Sequence, residues 1–150
     1  MELTSAHAAD HVAFELFFPQ QAQRDACMEA MARLLHSVQG SYTSVLATVD
    51  GHLVTHISYN RDRPARVAAM IGSLCALGET LSKEINQRDY RDVLIQTDTG
   101  LSVIQRLPKP AQRLVLMTAS NNEANLGVLL AHSRTCATSL ARLATDPPEL

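Results

Sequence analysis

Two short runs of this chain, Thr43–Val49 (Thr-Ser-Val-Leu-Ala-Thr-Val) and Gln112–Thr118 around Leu114-Val115-Leu116-Met117, carry apolar residues at consecutive positions. Successive side chains of a strand point to opposite faces, so strands patterned this way need cover on both sides and belong inside a sheet. That requirement predicts helices on both faces of one sheet, a three-layer α/β/α arrangement.

The segments around the two runs supply those helices. From Ala22 to His36, Cys27, Met31, Leu34 and Leu35 recur at helical spacing, and Gln39-Gly40-Ser41 ends the pattern. Leu53–Ser58 is a second strand, joined to the first through Asp50-Gly51, a pair favoured in two-residue type I′ turns. Pro64 opens a long helix reaching about Asn86, since proline at the first helical position lacks only an N–H that would be unpaired anyway. Asp92–Thr97 and Leu101–Leu107 read as a further hairpin across Asp98-Thr99-Gly100, followed by the Gln112–Thr118 strand. Ser120-Asn121-Asn122-Glu123 matches a capping box for a last helix over about Glu123–Ala144. The order is α-β-β-α-β-β-β-α. We divide the chain into a tail over 1–21, a domain over 22–145 and a short C-terminal tail over 146–150.

The long helix carries two stripes. Val67, Met70, Ile71, Leu74, Leu77, Leu81 and Ile85 are expected to pack on the sheet. Ala65, Ala69, Gly72 and Ala76 form a stripe of small residues that would let a second helix approach closely. Gly72→Leu is then expected to part such a helix pair while the fold survives. The 1–21 tail holds all three phenylalanines, Phe14, Phe17 and Phe18. It reads either as a plug for a groove on its own domain or as a partner-binding or swapping arm.

Chemistry is harder to find. Cys27, Cys75 and Cys136 are far apart and sit in helical patterns, with no CxxC, so we expect buried thiols in a reducing cytoplasm and no zinc site. His52 and His56 fall on one side of a strand, and His7 and His11 on one side of the tail, but neither pair has a third ligand. His132 beside Ser133 suits hydrogen bonding better than catalysis. No nucleophile elbow, Walker A loop or GxGxxG fingerprint occurs, so neither an enzyme nor a cofactor is expected. With a net charge of −2 and 4% aromatic residues, nucleic acid is not an expected partner. No apolar run reaches the ~18 residues of a spanning helix, and the start lacks a basic leader, so membrane insertion and export are not expected either.

Three stretches resemble the Roadblock domain family, which includes the Roadblock dynein light chain and many bacterial signalling proteins. They are Ser44–Val54 (Ser-Val-Leu-Ala-Thr-Val-Asp-Gly-His-Leu-Val), Met70–Leu81 (Met-Ile-Gly-Ser-Leu-Cys-Ala-Leu-Gly-Glu-Thr-Leu) and Asn125–Leu130 (Asn-Leu-Gly-Val-Leu-Leu). The likeness covers about Gln23–Leu143. It implies a profilin-like fold: a five-stranded, mostly antiparallel sheet in the order 2-1-5-4-3, with one long helix on one face and two on the other. It also implies a homodimer in which the third strands, with Val93 and Ile95, pair edge to edge while the long helices lie side by side through Ala65, Ala69, Gly72 and Ala76. The paired-helix face would then receive a partner, with Arg63, Arg66 and Ser73 as candidate contacts. The implied role is a non-catalytic adaptor or regulator of a Ras-like small GTPase in the cytoplasm. A structural scaffold subunit and a small-molecule sensor stay open as alternatives.

Overall fold

The computed structural model describes residues 12–148. Helix α1 spans Gln21–Ser37, strands β1 and β2 span Ser41–Thr48 and Leu53–Ser58, and helix α2 spans Pro64–Glu84. Strands β3, β4 and β5 cover Asp92–Thr97, Gly100–Arg106 and Leu114–Asn121, and helix α3 covers Leu126–Leu143. Residues 12–17 are also helical. The tail histidine at position 7 and its neighbour at position 11 lie outside the described residues.

The sheet runs β2-β1-β5-β4-β3 with every neighbouring pair antiparallel. β1 and β5 are interior, where their doubly apolar pattern requires them. Val45, Ala47, Val115 and Met117 point into one core beneath α2, together with Ala68, Ile71 and Cys75. Leu46, Leu114 and Leu116 point into the other, against Cys27, Met31 and Leu34 of α1 and Leu129, Cys136 and Leu140 of α3. One sheet therefore separates a single-helix layer from a two-helix layer.

The segment before α1 contributes to the larger core. Phe17 and Phe18 are buried in it, and Phe14 packs its ring edge-on to Phe18 with centroids 5.6 Å apart. Polar contacts hold this turn in place: the Arg24 guanidinium donates to the carbonyl of Phe18 at 2.8 Å, and the Thr145 N–H donates to that of Phe17 at 2.7 Å. The Arg113 guanidinium lies over the Phe17 ring, 5.4 Å from its centroid. Of the two roles open to the aromatic cluster, this is the plug.

Two local expectations are corrected. The β1–β2 link is not a two-residue I′ turn, because Gly51 (φ 97°) is its one position in the left-handed region. Val49–His52 instead form a wider loop tied by Thr48, whose Oγ1 accepts from the His52 N–H at 2.9 Å and whose carbonyl accepts from Gly51 at 3.0 Å. The capping box at Ser120 does not form, since Ser120 stays in β5 and pairs with Leu101 and Ser41. The helix begins later, where the Asn125 side chain accepts from the Val128 N–H at 3.1 Å. Asparagine is as good an N-cap as serine, and the strand ladder takes precedence over the sequence motif.

Candidate interaction face

Helix α2 lies on the sheet through a narrow strip. Ala68, Ile71, Gly72 and Cys75 are buried, and this i, i+3, i+4, i+7 set is one face of a helix. Of the large residues expected on that face, only Ile71 is fully buried there. Met70 is 61% exposed, Leu77 65%, Leu81 60% and Ile85 53%, while Val67 and Leu74 pack only partly against the core. Met70, Leu74, Leu77 and Leu81 are spaced by four, three and four, the spacing of a seam that packs against another helix. Of the small stripe only Gly72 is buried, while Met70, Leu77, Leu81 and Ile85 of the large stripe face outward.

A Cβ built on Gly72 would stand 2.7 Å from both Cα and N of Gly51, so the helix crosses the β1–β2 loop at backbone distance. The expectation that Gly72 faces a second helix is thus corrected: its missing side chain is needed within its own domain. Ala65, Ala69 and Ala76 are exposed and flank the seam. Gly78 has more room, with the Tyr90 ring 3.6 Å from its would-be Cβ. Burial raises the Tyr90 phenol pKa above its ordinary value, and contact with Cys75 adds to the effect.

Strand β3 borders this helix layer. It pairs with β4 on one side only, leaving its other edge unpaired among the described residues. Val93 packs into the core beneath α2, and Ile95, two residues on and so on the same face, is 39% exposed. Asp92 and Leu94 point to the opposite face, where Asp92 accepts from Arg134 of α3 at 2.9 Å. An open strand edge beside an exposed apolar helix is a surface that proteins normally cover.

The candidate partner contacts also lie here. Arg63 is the N-cap residue of α2, Arg66 is exposed in its first turn, and the Ser73 hydroxyl reaches back to the Ala69 carbonyl at 3.4 Å. Sequence reasoning missed the seam because it assigned every large residue of α2 to the sheet. The four-three-four spacing of Met70, Leu74, Leu77 and Leu81 was the available signal. Elsewhere, His52 lies in the loop with its Nε2 3.7 Å from Asp50, and the described residues hold no group of three metal-ligating side chains. The Asp50 carboxyl is held below its usual pKa, chiefly by the hydrogen bond from Thr48. No helix among the described residues is long and apolar enough to cross a membrane.

A five-stranded antiparallel sheet in this order, between one helix and a helix pair, defines a profilin-like domain. The chain matches the Roadblock/LC7 domain over residues 28–107 and belongs to that family. Among solved structures it is similar to the gliding protein MglB from Thermus thermophilus, with 16% identity and a TM-score of 0.75 over 85% of this chain and 95% of that one. A Roadblock/LC7 domain from Streptomyces avermitilis gives 21% identity and 0.69, covering 76% and 93%. Myxococcus xanthus MglB gives 14% and 0.72, covering 82% and 90%. At these identities the likeness establishes the fold. No curated protein matches the chain in sequence.

Proposed function

We propose that this chain is a non-catalytic homodimeric adaptor whose paired α2 helices form the platform for a Ras-like small GTPase in the cytoplasm. The observation that carries the reading is the exposed seam of Met70, Leu77 and Leu81 beside the open edge of β3. A second copy related by a two-fold axis would cover both features at once, α2 against α2 and β3 against β3, because such an interface is self-complementary. Ala65, Ala69 and Ala76 flank the helix contact, and Val93 and Ile95 belong to the strand contact. Arg63, Arg66 and Ser73 remain on the outer face as partner contacts. Such a regulator acts by positioning the catalytic groups of the GTPase, so it needs none of its own.

The test has two stages. Light scattering at micromolar concentration is expected to give twice the chain mass. The tagged protein is then incubated with native lysate in GDP or in a non-hydrolysable GTP analogue, and a GTPase retained mainly with the analogue is the expected result. Equal recovery of one non-GTPase protein in both would assign a scaffold role instead, and a monomer mass would remove the dimer.

A further inference from the structure

At the end of the β3–β4 ribbon away from its turn, a cleft of about 810 Å³ opens between the strand ends, the 107–113 loop and α3. Its size lies within the roughly 300–1,000 Å³ typical of small-molecule sites. Arg91, Arg106, Lys109, Arg113 and Arg134 line it. Asp89 and Asp92 are the only carboxylates in the lining, so five cations face two anions in a chain whose net charge is −2. Concave walls concentrate such a field and draw anions to it.

Several of these groups are already engaged. Arg134 donates to Asp92 at 2.9 Å, Arg106 Nε to the Gln112 carbonyl at 2.7 Å, and Arg113 to the Pro147 carbonyl at 2.7 Å. Arg91 and Lys109 have no hydrogen-bond or ion-pair partner among the described residues, and both are exposed.

The floor of the cleft is a separate observation. Gln105 of β4 is only 2% exposed, yet neither Oε1 nor Nε2 of its amide has a partner among the described residues. Its register partner on β3 is Asp92, so the amide lies beside the Asp92–Arg134 pair without bonding to it. Buried amides are nearly always satisfied, and one left open beneath a basic cleft points to a group that enters from the cleft. The two amide atoms also restrict what that group is. Nε2 donates and suits an anionic oxygen, while Oε1 accepts and needs a hydroxyl or N–H.

We propose that this cleft binds a small organic phosphate or carboxylate with a hydrogen-bond donor next to its anionic group. The anion sits among Arg91, Lys109 and Arg134, and the adjacent donor reaches Gln105 Oε1. The site uses neither the α2 seam nor a GTPase, so it stands or falls apart from the function proposed above.

The test is an NMR titration of the full chain, following the Gln105 side-chain amide and the arginine Nε–H signals. The probes are glycerol 3-phosphate, malate and, as an uncharged control, glycerol. Saturable shifts at Gln105 and Arg134 with one of the two anions, and none with glycerol, are expected, and the anion that binds identifies phosphate or carboxylate. Gln105→Leu is expected to weaken binding at least tenfold. Arg91→Gln and Lys109→Gln, at exposed positions that leave the fold intact, are each expected to weaken it severalfold. The proposal is overturned if neither anion moves these signals at 10 mM, or if the affinity is unchanged in Arg91→Gln and Lys109→Gln.

Discussion

Gly72 of α2 rests directly on Gly51 of the β1–β2 loop, with no room for a side chain between the two backbones. Gly51 has φ 97°, a left-handed conformation that disfavours a side chain there too, and a Cβ on it would stand 3.3 Å from Ala69 Cα. We therefore expect Gly72→Ala to destabilise the fold by about 1–3 kcal/mol, the usual cost of overpacking a tight contact. Gly78, six residues on in the same helix, meets only the Tyr90 ring at an ordinary contact distance. Gly78→Ala should stabilise by about 0.5–1 kcal/mol, because alanine suits a helix interior better than glycine. Urea unfolding of the two variants checks this: opposite shifts in midpoint are expected, and shifts of the same sign would contradict the contact geometry.

The seam gives a substitution that acts on assembly alone. Leu77 is 65% exposed in the single chain, so Leu77→Asp should leave monomer stability within about 0.5 kcal/mol. In a helix-paired dimer the same carboxylate would be buried against its symmetry mate. The expected loss of association is at least about 2 kcal/mol, the scale of an interface hot spot. Light scattering over a concentration series, with circular dichroism to confirm the fold, measures it. A dimer of unchanged affinity would place the contact away from α2.

The layered architecture was legible because β1 and β5 can bury consecutive apolar residues only inside a covered sheet. The long helix was legible as a helix, but its orientation was not. Met70 and Leu77 look like core residues to any rule that sends large apolar groups inward, and Gly72 looks like a device for helix pairing. Gly72 instead meets the β1–β2 loop, a tertiary contact that no spacing within α2 reveals. The strip buried against the sheet is Ala68, Ile71, Gly72 and Cys75, with Val67 and Leu74 packing partly beside it. The Gln105 cleft was invisible for a related reason. Its residues come from β3, β4, the loop after β4 and α3, and no local spacing joins them.

The aromatic segment ahead of α1 is expected to be an energetic part of the domain. Phe18 is fully buried in the core that α1, α3 and the sheet share, and its carbonyl is held by Arg24. Phe18→Ala removes a whole ring from a core with little means of closing the gap, at a cost of about 3–5 kcal/mol. A midpoint shift of that size in urea is the expected outcome. A change below about 1 kcal/mol, the range of surface substitutions and mild repacking, would mean that the segment is a dispensable arm.

The two thiols of the larger core should make stability fall in alkali. Burial pushes Cys27 up from 9.0 to about 12, with Cys136 nearby adding to it, and burial likewise pushes Cys136 up to about 12 against a smaller opposing effect of Arg33. The folded protein thus keeps two protons that the unfolded chain releases above pH 9. Stability from this source is complete below pH 9 and is lost as pH climbs toward 12, at up to about 1.4 kcal/mol per pH unit for each thiol. Tyrosines and lysines titrate in the same range, so the comparison needs a variant. Cys27→Ala introduces a packing loss that does not depend on pH and removes one titrating group. Urea midpoints at pH 8 and pH 10.5 should converge for wild type and Cys27→Ala as pH rises. Parallel pH dependence in the two proteins would show that Cys27 ionises as readily in the folded state as in the unfolded chain.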